Sequence, residues 1–420
     1  MSIMTLALSS LKNRKTTALL TILSIAVSVA LLLGVERIRV EAKNSFTSTI
    51  SGTDLIIGAR NSSMNLLLYS VFHIGNATNN ISWKTYTKFS KDSAVKWVIP
   101  ISLGDSHRGY RVLGTNQSMF SDYRYGAKQS LTFAEGSTFK GVFDAVIGSE
   151  VAAKLGYQLN QKITLSHGVE KKSLQSHDDK PFQITGILNP TGTPLDRVIM
   201  TSLEGIEALH IDWMNGAAPI QGLRISSTQA ENMNLQPESV TAFFVGLKSR
   251  IAAFSYQRRV NDYQNEALTA ILPGVALQEL WKLIGSAETA LMVISIMVVV
   301  AGLIGMLTTI LTSLNERRRE MAILRSVGAQ PRHIFQLMIF ESVFYAIAGT
   351  LFGFVLMYSL LLVAQPILEN TLGLHIAIAQ PGAYEIVLAA MIMLCAVILG
   401  AIPAWRAYRN SLADGLTIRV

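Results

Sequence analysis

Four long stretches of the chain carry no charge and no regular polar face: residues 16–35, 289–315, 342–368 and 386–405. Each is about 20 residues or longer, enough to cross a hydrocarbon core of roughly 30 Å at a helical rise of 1.5 Å per residue. Buried helices of a water-soluble core rarely run much beyond about 14 residues without a polar face, so four membrane spans are predicted. Before the first span, Met4, Leu8 and Leu11 share a helical face and are followed by Lys12, Arg14 and Lys15, the pattern of a short helix lying in the membrane interface. After it, Glu36, Arg37, Arg39, Glu41 and Lys43 alternate with Val35, Ile38 and Val40 without Gly or Pro. The helix is therefore expected to continue outward as a stalk to about residue 50.

From Ser51 the period changes. Gly52-Thr53-Asp54-Leu55-Ile56-Ile57-Gly58 predicts a strand bounded by glycines, and 95–101, 110–113, 145–147, 162–165, 182–188 and 197–200 are further short β-branched or alternating runs. Helical patterns intervene at 83–91, 149–155 and 203–209, so this segment reads as a mixed α+β domain. Phe243, Val245 and Leu247 alternate as a strand, and 248–266 reads as a polar helix. After a break at Pro273-Gly274, residues 275–287 read as a helix feeding the second span. Residues 60–82, with Leu66-Leu67-Leu68-Tyr69 and Phe72, either pack into the core or form an exposed apolar patch.

Composition agrees with a membrane protein: half of the 420 residues are apolar and 15% are charged. The net charge of +8 would fit a nucleic-acid partner if it were clustered on a domain surface, but three short segments beside the spans carry all of it. These are Lys12 to Lys15, the 315–333 loop, and the tail with Arg406, Arg409 and Arg419. The positive-inside rule then places both termini and that loop in the cytoplasm and residues 36–286 outside. The first apolar run is longer than a signal-peptide core and is read as an uncleaved anchor. The lone Cys395 lies in the fourth span, which leaves the external domain without disulfides.

The loop between the second and third spans, Asn-Glu-Arg-Arg-Arg-Glu-Met-Ala-Ile-Leu-Arg-Ser-Val-Gly-Ala-Gln-Pro-Arg-His-Ile-Phe over 315–335, is charged at first and then amphipathic. Met321, Leu324 and Val327 lie at three-residue spacing, Gly328 stands where a left-handed helix cap is wanted, and Pro331 suits the first turn of the next helix. Its second half, Met321-Ala322-Ile323-Leu324-Arg325-Ser326-Val327-Gly328-Ala329, resembles the corresponding loop of FtsX-like permeases, the ABC-transporter family that includes MacB-type exporters and LolC/LolE. Gly52 to Ala59, Val112-Leu113-Gly114-Thr115, Val146 to Gly156 and Phe182 to Leu188 resemble the external core domain of MacB-type permeases. The resemblance implies a coupling helix that docks on a cytosolic ATPase through Glu316, Arg317, Arg318, Arg319, Glu320, Met321, Leu324, Arg325, Val327 and Gly328. It implies a bacterial inner-membrane location and two permeases, two copies or a paralogous pair, working with two ATPase subunits.

The expected organisation is an interfacial helix (1–15), a first span (16–36) with its stalk, a periplasmic core domain (51–270), and a second stalk and span (271–314). The coupling loop (315–333), third span (334–368), short periplasmic turn (369–385), fourth span (386–405) and cytosolic tail (406–420) follow. Ser24 and Ser28 in the first span, and Gly349 and Gly353 in the third, are small residues at a spacing that lets helices approach closely. The glycine pair is expected to pack on the chain's own fourth span, a subunit interface being the alternative. Glu341 is read as an interfacial carboxylate rather than a proton relay. Trp405 and Tyr408 mark an aromatic belt.

No G-x-x-x-x-G-K-[ST] phosphate loop occurs, so ATP and Mg are expected on a partner ATPase and no cofactor on this chain. His107, His167 and His177-Asp178-Asp179 lack the short fixed spacing of a zinc site, and no G-x-S-x-G elbow is present, so neither a metal site nor a hydrolase is expected. The expected function is a permease that transmits ATP-driven motion to its periplasmic domain. It would act on a lipoprotein, amphipathic molecule or peptide, with membrane lipid and a periplasmic adaptor or lipoprotein as further partners. The alternative is a non-transporting regulator that gates a periplasmic partner such as a cell-wall hydrolase.

Overall fold

The computed structural model describes residues 14–167, 179–213, 225–316, 326, 328–372 and 380–413. The interfacial helix expected before the first span lies almost wholly outside the described residues. The four apolar runs form four long helices, Lys15–Ser48, Pro273–Glu316, Pro331–Leu372 and Ala383–Ala413. Each contains a stretch long and apolar enough to cross a membrane: Lys15–Glu41, Gly285–Thr312, Arg332–Gln365 and Ala383–Arg406. The first two helices outrun their apolar stretches, and each does so without a break. Pro273 and Pro331 both open helices, where a missing N–H leaves no intrahelical bond unmade.

The chain forms two compact units, the helical bundle and an α+β core domain that takes in residues 43–284. In the bundle, Val29 and Leu33 of the first helix, Met306 of the second, Met338 and Met357 of the third and Ala396 of the fourth are buried together.

Among the described residues, the strands of the core domain are β1 (Leu55–Ala59), β2 (Ile81–Ser82), β3 (Val95–His107), β4 (Tyr110–Thr115), β5 (Arg124–Tyr125), β6 (Gln129–Ser130), β7 (Phe133–Gly136) and β8 (Asp144–Ile147). They continue with β9 (Lys162–Ile163), β10 (Ser166–His167), β11 (Phe182–Leu188), β12 (Val198–Ser202), β13 (Ser239–Val240), β14 (Ala242–Leu247) and β15 (Leu268–Ile271). The main sheet runs β15-β1-β14-β3-β4-β12-β8-β11-β7, with β10 on β3 and β9 on β11. The 13-residue β3 serves both ends of it. Val95 to Ile101 pair with β14 and Ser102 to His107 with β4, and the register shifts between Leu103 and Ser106. Alternation places Leu55, Ile57, Phe243 and Val245 in one apolar cluster and Ile56, Ala242 and Phe244 in another.

Several expectations change in three dimensions. The leucine-rich part of 60–82 is a helix, Ser63–Val71, capped by Ser62, with Leu66, Leu67 and Tyr69 buried against β1. Of the two alternatives, core packing is the one realised. A Cβ at Gly58 would fall 2.5 Å from a Leu66 methyl, so the helix packs closely on β1 where the strand has no side chain. The polar helix expected over 248–266 shortens to a 3-10 turn, Arg250–Ala252, and a helix, Ala253–Asn261. The chain then returns as β15, an edge strand the polar residues before it had masked, and Asn261 Oδ1 accepts the Ala270 N–H at 2.7 Å.

The Tyr123 hydroxyl donates to the Thr49 carbonyl at 2.6 Å just after the first helix, and Ala276 and Leu277 in the opening turns of the second are buried in the domain's largest cluster.

Candidate functional site

The second helix ends at Glu316 and the third opens at Pro331. Of the proposed docking residues between them, Arg317, Arg318, Arg319, Glu320, Met321, Leu324, Arg325 and Val327 lie outside the described residues, as does the Glu316 side chain. Gly328 has φ +99°, a backbone conformation costly for any residue with a Cβ. Two residues on, the Gln330 N–H donates to His333 Nδ1 at 3.1 Å, closing the first turn of the third helix.

The small residues of the spans define how the bundle is assembled. Ser28 Oγ lies 2.8 Å from the Ser24 carbonyl and 3.2 Å from the Val298 carbonyl of the second helix. A Cβ on Gly302 would collide with the Ser28 side chain, and one on Gly305 would lie 3.9 Å from Ser24 Oγ. Ser24 and Ser28 therefore seat the second helix. The glycine pair of the third helix also packs on the first helix, which corrects the expectation that it meets the fourth. A Cβ on Gly349 would lie 2.5 Å from Ile25 Cγ2, and one on Gly353 would lie 2.7 Å from Val29 Cβ. Residues 24/28 and 25/29 are adjacent rows on one helix, about 100° apart, so the first span is clasped between the second and third. Small-residue spacing announces a close approach without naming the partner. The fourth helix reaches the third at Gly400, where a Cβ would overlap the Ser342 side chain.

The stalk charges behave differently from a solvated face. Glu36 and Arg37 are buried. Arg37 Nη1 donates to Glu385 Oε1 of the fourth helix at 3.1 Å, and Arg39 holds Glu36 with two donors at 2.6 and 2.9 Å. Arg39 also approaches Glu288 of the second helix at 3.9 Å, and the Gly382 N–H donates to Glu385 Oε2 at 3.0 Å. The first helix is thus joined to the second and fourth by ion pairs that follow directly on its uncharged run, residues 16–35. Nothing in the sequence announces the Arg37–Glu385 pair, since 348 residues separate its partners. Glu341 is likewise buried, with the Tyr345 hydroxyl donating to it at 2.9 Å. Trp405 is 59% exposed and stacks on Tyr408.

In the core domain, His107 is committed to structure, its ring nitrogens 2.5 Å from the Thr164 carbonyl and 2.7 Å from the Tyr157 hydroxyl. Burial lowers its pKa. His177 and Asp178 lie outside the described residues, and among those described no group of three His, Cys, Asp or Glu side chains could hold a metal ion. Lys180 and Asp212 form a buried ion pair at 2.5 Å, and Asp212 Oδ2 also accepts the Ile225 N–H at 3.1 Å. Burial alone would raise the Asp212 pKa, but the hydrogen bonds from Lys180 and Ile225 bring it below the usual carboxylate value.

With this architecture in view, residues 18–262 match the family model for the MacB-like periplasmic core domain and residues 292–412 match that for the FtsX-like permease C-terminal region. The first match alone spans more than half of the chain. The chain belongs to the FtsX-like, MacB-type ABC transporter permeases. Among curated relatives, the pyoverdine export ATP-binding/permease protein PvdT of Pseudomonas syringae pv. tomato is 24% identical over 335 residues, covering 77% of this chain and 46% of the relative. PvdT of Pseudomonas savastanoi pv. phaseolicola is 24% identical over 332 residues, with the same coverage of 77% and 46%. The chain thus spans a little under half the length of the curated relatives it matches. Among solved structures, the periplasmic region of MacB from Actinobacillus actinomycetemcomitans overlays 55% of this chain and 94% of that one at 11% identity and a TM-score of 0.33. The extracellular domain of YknZ from Gram-positive bacteria overlays 52% and 99% at 13% identity and a TM-score of 0.31. The MacB-type family assignment rests on the two family models.

Proposed function

We propose that this permease serves an ABC export system in which ATP, with Mg, is hydrolysed on a separate cytosolic subunit and the resulting motion is relayed across the bacterial inner membrane to the core domain. The reading is carried by the two unbroken helices, Lys15–Ser48 and Pro273–Glu316, each with residues in the bundle and in the core domain. An uninterrupted helix passes a displacement along its axis, and the second of these ends at Glu316, where the 315–333 loop begins. Both termini and that loop are cytosolic in this reading, as the distribution of Lys and Arg favours. Glu316 to Met321, Leu324, Arg325, Val327 and Gly328 form the docking foot, with Met321, Leu324 and Val327 as its apolar edge. The permease works as a pair, of two copies or with a paralogue, and moves a lipoprotein, amphipathic molecule or peptide, with membrane lipid and a periplasmic adaptor as further partners. The relatives named for pyoverdine export support an outward direction.

Replacing Met321 and Leu324 together by Asp is expected to abolish co-purification of the full-length permease with its ATPase while leaving its protease-resistance pattern unchanged. Undiminished association would overturn the docking role.

A further inference from the structure

The core domain carries a cleft that the transport reading leaves unused. It has a volume of about 550 Å³, within the roughly 300–1,000 Å³ of small-molecule sites, and lies between the loop after the Ser63–Val71 helix and strands β3 and β4. The loop contributes Asn76, Thr78, Asn79 and Asn80, and the strands contribute Gly104 and Arg111. Gly104 falls within the register shift of β3, and a Cβ there would meet nothing within 4 Å, so the strand wall of the cleft is open.

Arg111 is the unusual member. One of its terminal nitrogens donates to the Gly75 carbonyl at 2.7 Å and to Asn76 Oδ1 at 3.0 Å, which fixes the plane of the guanidinium. Among the described residues its other donors have no partner, and no carboxylate lies within ion-pair distance. Arg37, Arg39, Arg197, Arg250 and Arg259 each have such a carboxylate. A half-buried cation without a counter-charge gives up hydration and receives no ion pair in return. Burial accordingly lowers the Arg111 pKa. The neighbouring His73 is held neutral, its pKa lowered to about 4 by burial and by Arg111, so it supplies no competing charge. An immobilised planar fork matches the two oxygens of a carboxylate, and side-chain amides facing it suit hydroxyl and amide groups.

We infer that this cleft binds a small carboxylate-bearing polar ligand, with the carboxylate on the free edge of Arg111 and the remaining polar groups on Asn76, Asn79 and Asn80. The inference stands independently of the transport reading. Isothermal titration of the full-length chain in nanodiscs with acetate, succinate and citrate, and with glycerol as a neutral probe, tests it. At least one carboxylate is expected to bind saturably below about 10 mM while glycerol does not. Arg111→Gln and, separately, Asn79→Asp should each weaken that binding by about tenfold or more. The Asn79 side chain is exposed and makes no hydrogen bond among the described residues, so Asn79→Asp keeps the test open even if Arg111→Gln loosens the loop. Absence of saturable binding for all three acids, equal affinity for glycerol, or affinity unchanged in both variants would each overturn the assignment.

Discussion

In the core domain Leu55, Ile57, Phe243 and Val245, the apolar face of two paired strands, are all fully buried. In the bundle, Leu351, Phe352 and Val355 point outward, 61%, 61% and 62% exposed, while Gly302, Gly349, Gly353 and Gly400 sit where helices touch. Water explains the first arrangement, since removing apolar area from it contributes roughly 25 cal/mol per Å². Lipid explains the second. Hydrocarbon tails are as apolar as leucine, so burying a leucine among helices gains little, and close backbone approach and polar contacts bring the spans together instead. The same residue type therefore carries opposite meaning in the two units.

The largest expected effect is electrostatic. Lys180→Met leaves the Asp212 carboxylate buried without its cation and should cost about 3–5 kcal/mol of core-domain stability, read by pulse proteolysis of the full-length chain in urea. Replacing both partners by apolar residues should restore most of that loss, and failure to do so would mean the pair has a role beyond satisfying its own charges. Next comes the direct contrast between the units. Leu55→Ala should destabilise the core domain by about 2–5 kcal/mol, whereas Leu351→Ala should change bundle stability little. Equal losses would break the distinction drawn above. Gly353→Leu runs the other way: its side chain must displace Val29, and a cost of about 1–3 kcal/mol is expected, seen as a lower melting temperature of the purified permease.

The smallest effect concerns pH. Burial, with Arg111 nearby, lowers the His73 pKa from its ordinary 6.5 to about 4, so in that interval the unfolded chain takes up a proton the folded one refuses. Core-domain stability should thus be fully present above about 6.5 and fall as the pH drops towards about 4. His73→Asn, which suits the φ of +56° at this position, should flatten that part of the profile; an unchanged slope would assign the acid sensitivity elsewhere.

Much of this was legible from local pattern. The helix at Ser149–Leu155 and the strand at Phe182–Leu188 have the boundaries expected of them. The strands at Phe133–Gly136 and Leu268–Ile271 were not anticipated, because Phe-Ala-Glu-Gly has no alternation and the second follows a polar run that reads as helix. Both are edge strands of the sheet, made by pairing with β11 and β1 rather than by their own propensity. At the candidate site, the left-handed Gly328, the helix start at Pro331 and the small residues were recognisable. The burial of Glu36 and Arg37 was not, because a charge alternating with valine and isoleucine looks the same whether it meets water or a carboxylate hundreds of residues away.

By itself the sequence determined that there are four helices long and apolar enough to cross a membrane, and which segment folds apart from them. Those properties are written in runs of consecutive residues, where length, period and charge act locally. Only the tertiary structure decided that the first span is clasped by the second and third, that Arg37 closes on Glu385, and that Arg111 lines a cleft with no carboxylate among the described residues in ion-pair reach. Each of these is a relation between surfaces brought together by folding, and its energy exists only once both are in place.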